Sequence, residues 1–165
     1  MIIDSHCHLT YEPMSLNLKE TIQRANDDGV KYMLTISTED KSFNKILNII
    51  KKFKSVYGTY GIHPHEAKNH RNLEVSTILE KTKSSNKIIG IGETGLDFYY
   101  NHSEKNDQIE CFEKHIKASQ ELDLPLIIHT RSAENETLEI LKKNLLKKEF
   151  KILIPVSYTH SEPTR

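Results

Sequence analysis

The chain has 165 residues, 36% hydrophobic and 28% charged, a composition that suits one soluble globular domain. Its 23 basic and 23 acidic side chains cancel, so bulk charge neither selects nor excludes a nucleic-acid partner. No apolar run reaches the roughly 18 residues of a membrane helix, the N-terminus lacks the pattern of a secretory signal, and two cysteines, Cys7 and Cys111, are too few for a disulfide framework. The expectation is a cytoplasmic protein with no membrane association, no obligate protein partner and a monomer as the default state.

In chain order, residues 2–5 read as a first strand that runs into Asp4, His6 and His8. Leu18, Ile22 and Ala25 recur at helical spacing, and Gly29 stops that helix. Residues 32–36 form a second strand, followed by Ser37-Thr38-Glu39-Asp40, which read as N-capping residues of the next helix. Phe43, Ile46, Leu47 and Ile50 stripe that helix, and residues 56–62 make a third strand ending in His63-Pro64-His65. Leu73, Ile78 and Leu79 mark another helix, then residues 87–91 give a fourth strand leading into Gly92-Glu93-Thr94-Gly95-Leu96-Asp97. A longer helix carries Ile109, Phe112 and Ile116, and residues 125–128 give a fifth strand ending at His129-Thr130-Arg131. Leu138, Leu141 and Leu145 stripe the next helix, and residues 150–154 look like a sixth strand. Strands alternating with amphipathic helices in this way predict an α/β fold with a parallel sheet.

His6 and His8, His63 and His65, Glu93 and His129 all fall at the carboxyl ends of predicted strands. In a parallel βα barrel those ends converge on one mouth, where catalysis is done. On an extended segment Asp4, His6 and His8 share a face, and two imidazoles on one face can hold a divalent cation. His6, His8, Glu93 and His129 make a plausible ligand set for one or two cations, with Zn, Mn or Fe suited to imidazole and carboxylate. Taken singly, Glu93 also reads as a solvated loop acid, and His129 as a satisfied strand-end histidine. His63 and His65 suit substrate contact or support of the ligands, and Arg131 suits a bidentate phosphate contact or a salt bridge. Asp97 is a ligand, an orienter of a histidine, or the start of a helix. His70, His102 and His115 read as surface residues, and the lysine-rich runs at 51–54 and 142–148 as solvated helix faces.

Four motifs together carry a family resemblance: Asp4-Ser5-His6-Cys7-His8-Leu9, Gly61-Ile62-His63-Pro64-His65, Gly90-Ile91-Gly92-Glu93-Thr94-Gly95-Leu96-Asp97-Phe98 and Leu126-Ile127-Ile128-His129-Thr130-Arg131. In this order and spacing the chain resembles the TatD family of metal-dependent deoxyribonucleases, amidohydrolase-like (β/α)8 barrels. The resemblance implies a TIM barrel over residues 1–154, here incomplete at about six βα units. It implies two divalent cations (Mg, Mn or Zn), with His6 and His8 on one, His129 on the other and Glu93 bridging as the catalytic residue. It further implies hydrolysis of DNA phosphodiester bonds, as a 3′–5′ exodeoxyribonuclease, through a metal-activated water. Some relatives act instead on D-aminoacyl-tRNA esters.

The match fails towards the C-terminus. A complete barrel of this class takes about 250 residues. Pro155 stands where the family's sixth-strand histidine is expected, His160 lies outside the pattern, and the late aspartate motif is absent. Residues 155–165 are therefore expected to be a non-family tail on a C-terminally truncated chain. An inactive fragment with weak metal affinity is the alternative expectation.

Overall fold

The computed structural model describes residues 1–153. Ile154 and the expected tail at 155–165, with Pro155 and His160, lie outside the described residues. Six strands form one sheet in sequential order: β1 (Ile2–Cys7), β2 (Val30–Thr35), β3 (Val56–Tyr60), β4 (Ile88–Asp97), β5 (Leu126–Arg131) and β6 (Ile152–Leu153). Every neighbouring pair is parallel. Helices α1 (Leu18–Asp27), α2 (Asp40–Lys52), α3 (Val75–Lys83), α4 (Lys105–Leu122) and α5 (Glu134–Leu145) fill the crossovers. This is the strand order of a (β/α)8 barrel carried through six units, and among the described residues the sheet remains open, with β1 and β6 at its edges.

Burial follows from the layered architecture. Val56, Tyr60, Ile91, Leu96, Leu126 and Ile127 on the inner strands are fully enclosed, as parallel strands covered on both faces require. Phe43 and Ile46 on α2, Ile78 on α3, and Phe112 and Ile116 on α4 pack into the same core. Edge strand β1 leaves Ile2 and Ile3 exposed. Gly29, at φ +91°, follows α1 in the left-handed conformation expected of a helix stop.

Several local expectations are corrected. Helix α2 begins at Asp40 with Glu39 as N-cap and no side-chain cap bond. Ser37 and Thr38 are buried and serve the neighbouring strand ends instead. Strands four and five run further than their apolar cores suggest, to Asp97 and Arg131, because backbone pairing between them continues through Gly95–His129 and Asp97–Arg131. Leu73 precedes α3, in the link after a 3-10 segment at Pro64–His70. On α5 the inward stripe is Thr137, Leu141 and Asn144, while Leu138 and Leu145 face outward.

His115 is the largest correction: it is fully buried on α4, not at the surface. Its Nδ1 lies 2.7 Å from the Cys111 carbonyl, one turn back, and its Nε2 accepts the Ile62 amide at 3.2 Å. The neutral Nδ1–H tautomer satisfies both contacts. Burial pushes its pKa down to about 4 from the ordinary 6.5, against the pull of the Cys111 carbonyl, with His70 and Lys114 adding to the fall. Between those values the unfolded chain binds a proton that the folded chain refuses. The contribution of neutral His115 is thus complete above pH 6.5 and is lost as pH falls to about 4, a change of about 3 kcal/mol. Urea unfolding at pH 7 and pH 4.5 is expected to show the wild type losing more stability on acidification than His115→Gln. Equal losses would contradict this role.

Candidate metal centre

Alternation along β1 sends His6 and His8 toward the sheet's interior mouth and Cys7 the other way, its thiol on the Leu34 carbonyl at 3.4 Å. A register shift between Asp4 and Cys7 interrupts the alternation. The Asp4 Oδ1 accepts the His6 amide at 3.1 Å, and among the described residues Asp4 belongs to neither group of side chains that could hold a cation. The His6 and His8 rings stand edge to face, 5.0 Å apart, and His8 stacks on Tyr11 at 5.4 Å. Tyr11 is held in turn by a hydroxyl contact with Thr38.

Glu93 lies at the centre, 6% exposed. Its amide donates to the Ser37 carbonyl at 2.8 Å, and the neighbouring His63 amide donates to the Thr38 carbonyl at 2.8 Å. The end of β2 thus fixes both functional positions through backbone alone. Gly92 precedes Glu93 at φ +128°, a conformation L side chains rarely adopt. Gly95, at φ +140°, lets the His129 carbonyl approach so closely that a Cβ there would collide with it.

Four imidazoles surround the carboxylate. His6 Nε2 and His8 Nε2 lie 3.5 and 3.9 Å from Glu93 Oε2, and His129 Nδ1 lies 3.4 Å from Oε1. His63 joins Glu93 and His129 in a second group whose ligand atoms lie within 4.8 Å of one another, as do those of His6, His8 and Glu93. His63 and His129 are 4.4 Å apart ring to ring. The 3.4–3.9 Å separations exceed the usual 2.7–3.2 Å of an N–H···O bond. They approach the roughly 3.4 Å between two ligand atoms that share one tetrahedral cation at 2.0–2.2 Å. His6 Nδ1 is buried without a hydrogen-bond partner. The donor set, imidazole nitrogen with one shared carboxylate, fits divalent transition cations.

The electrostatics agree with a site built for charge. Burial alone would raise the Glu93 carboxyl, but the His129 and His6 imidazoles and the nearby His63 hold it well below the usual carboxylate range. Burial pushes His63 down to about 3, with His129 beside it adding to the fall, so it stays a neutral donor. Burial also lowers His8. His129 goes the other way: burial lowers it, and its contacts with Glu93 and Asp97 outweigh that and raise it.

Asp97 is the orienter. It is fully buried, and its Oδ2 lies 3.0 Å from His129 Nε2 and 2.8 Å from His65 Nε2. With Nε2 of His129 donating to this carboxylate, Nδ1 is left as the face toward Glu93. Gln108 pins the Asp97 backbone on both sides, accepting its amide at 2.7 Å and donating to its carbonyl at 3.0 Å. His65 therefore stands one layer behind the cluster. Arg131 is placed on the rim, its guanidinium over the rings of Tyr99 and Tyr100. His6, His8, Glu93 and His129 come together as expected, and His63 is drawn in with them.

The sequence matches the TatD related DNase family over residues 3–156. The chain belongs to this family. Among its TatD-related relatives, an uncharacterised metal-dependent hydrolase of Buchnera aphidicola (subsp. Baizongia pistaciae) is 38% identical over 145 residues, covering 86% of this chain and 54% of the relative. YabD of Bacillus subtilis, also an uncharacterised metal-dependent hydrolase, is 31% identical over 143 residues, covering 87% of this chain and 56% of the relative. The chain thus spans about half the length of the curated relatives it matches. The crystal structure of YjjV, a TatD homologue of Escherichia coli K12, superposes with a TM-score of 0.75 at 26% identity, covering 88% of this chain and 57% of that one.

Proposed function

We propose that this chain carries the two-cation centre of a hydrolase that cleaves DNA phosphodiester bonds, acting from a 3′ end. The observation that supports this most is Glu93, a buried carboxylate shared between the His6–His8 group and the His63–His129 group. One carboxylate facing two imidazole pairs is suited to bridging two divalent cations. When bound, such cations activate water and neutralise charge on a phosphoryl group. His6 and His8 hold one side, and His63 and His129 the other. Asp97 keeps the His129 ring turned with Nδ1 inward. Arg131 brings positive charge to the rim, where a phosphate approaches. The family's description as DNases favours DNA as the polymer. Among the described residues no helix is long and apolar enough to cross a membrane.

The test runs two substrates side by side in Mn2+ or Mg2+: 3′-end-labelled single-stranded DNA and a D-aminoacyl-tRNA. Release of labelled mononucleotide, abolished by EDTA, is the expected result. Cleavage of the aminoacyl ester with the DNA left intact would replace the phosphodiester reading by a carboxylic-ester one.

A further inference from the structure

We propose that Gln108, acting with Ser103, is a positioning residue of the metal centre: from α4 it sets the carboxylate that orients His129 and His65. The proposal rests on the reading of the surrounding imidazoles as a cation site. Gln108 is fully enclosed and Ser103 is 4% exposed, yet both side chains are polar. Among the described residues β3 pairs with β4 as far as Tyr60 and Ile91, whereas β4 runs on to Asp97. On the β5 side, the Phe98 amide donates to the Arg131 carbonyl at 3.0 Å. The Asp97 amide and carbonyl face the other way, beyond the end of β3. Gln108 fills that place as a peptide group would. Its Oε1 accepts the Asp97 amide at 2.7 Å, and its Nε2 donates to the Asp97 carbonyl at 3.0 Å.

The second N–H of Gln108 goes to the Ser103 carbonyl at 2.9 Å. The Ser103 hydroxyl donates to the His65 carbonyl at 2.8 Å and accepts the Lys68 amide at 3.1 Å. One carboxamide therefore holds both ends of the contact between Asp97 Oδ2 and His65 Nε2. Bonds within the turn do not replace it, because the Tyr99 and Tyr100 amides on Asp97 Oδ1 move with Asp97 itself. Two amides on Oδ1 and two imidazoles on Oδ2 fill the roughly four acceptor sites of the carboxylate. A shift of the Asp97 backbone thus carries Oδ2 away from His129 Nε2, and the ring loses the contact that turns Nδ1 toward Glu93. Gln120, roughly 18 Å further along α4, shows the contrasting use of a buried glutamine. Its amide donates to the Asn144 and Lys148 carbonyls at 3.1 and 2.7 Å, fastening α4 to the end of α5 and the residues after it.

The experiment compares the wild type with Gln108→Met, Ser103→Ala and Gln120→Met. Methionine keeps the length of the glutamine side chain and removes its bonds. Both readouts are taken on folded chain, at a temperature below the onset of melting by circular dichroism. The first is the NMR signal of imidazole N–H protons in the metal-free chain, and the second is Mn2+ affinity by calorimetry. The wild type is expected to show two downfield, slowly exchanging imidazole protons, those of His129 and His65 on Asp97. Gln108→Met is expected to lose both and to bind Mn2+ about 10-fold more weakly. Gln120→Met is expected to lose stability while keeping both signals and the wild-type affinity. Ser103→Ala is the milder variant and decides the matter if Gln108→Met does not fold. It is expected to lose the His65 signal and keep that of His129. Neither signal in the wild type, both signals and full affinity in folded Gln108→Met, an unchanged His65 signal in Ser103→Ala, or an equal loss in Gln120→Met would overturn the proposal. Absence of Mn2+ binding by the wild type would count against the cation-site reading, whereas the metal-free signals judge only the positioning.

Discussion

Glu93→Gln is expected to weaken Mn2+ or Zn2+ binding by more than about 100-fold and to abolish metal-dependent hydrolysis. Glutamine keeps the size of the side chain and removes its charge. Both imidazole pairs face the same carboxylate, so one substitution strips both groups of the anionic ligand they share. Calorimetric titration reads the affinity directly. Thermal melting gives a second reading, because a cation at 1,000 times its Kd stabilises the folded chain by about 4 kcal/mol. That metal-dependent rise in Tm is expected in the wild type and absent in Glu93→Gln. A rise of equal size in the variant would remove Glu93 from the site.

Asp97 is expected to separate fold from function through two different substitutions. Asp97→Ala strands two backbone amides and two imidazoles around a fully buried position, at a cost of about 3–5 kcal/mol. That is a large part of the 5–15 kcal/mol by which a domain of this kind is stable. Asp97→Asn retains an oxygen for the Tyr99 and Tyr100 amides, but presents an N–H to His129 Nε2. The imidazole then places its proton on Nδ1, the nitrogen that faces Glu93. Asp97→Asn is therefore expected to keep most of its stability and lose about 10- to 100-fold in metal affinity. Urea unfolding and metal titration of the pair check this. Full metal affinity in Asp97→Asn would show that the His129 tautomer does not matter.

The strand-end histidines were legible because the chemistry and the periodicity coincide there. His6, His8, His63 and His129 each follow a short apolar run, and a parallel sheet brings such ends together. The backbone supports were not legible. Ser37 and Thr38 stand just ahead of a helix, where capping is the ordinary use of these residues. Only the tertiary structure shows that their carbonyls hold Glu93 and His63. His115 could have been found: Gln108, Cys111, Phe112, His115, Ile116 and Ser119 follow helical spacing along one buried face. On α5 three leucines suggested the wrong stripe, one residue away from the buried one, because Leu141 belongs to both. Asp97 left three roles open in the sequence, and its contacts select the orienting one.

Anomalous diffraction from crystals of the chain soaked in Mn2+ decides whether Glu93 joins two imidazole pairs around divalent cations. Two peaks are expected flanking the Glu93 carboxylate, one against His6 and His8 and one against His63 and His129, each within coordination distance of its ligand atoms. Peaks only at other residues, or none at Glu93 under saturating Mn2+, would contradict it.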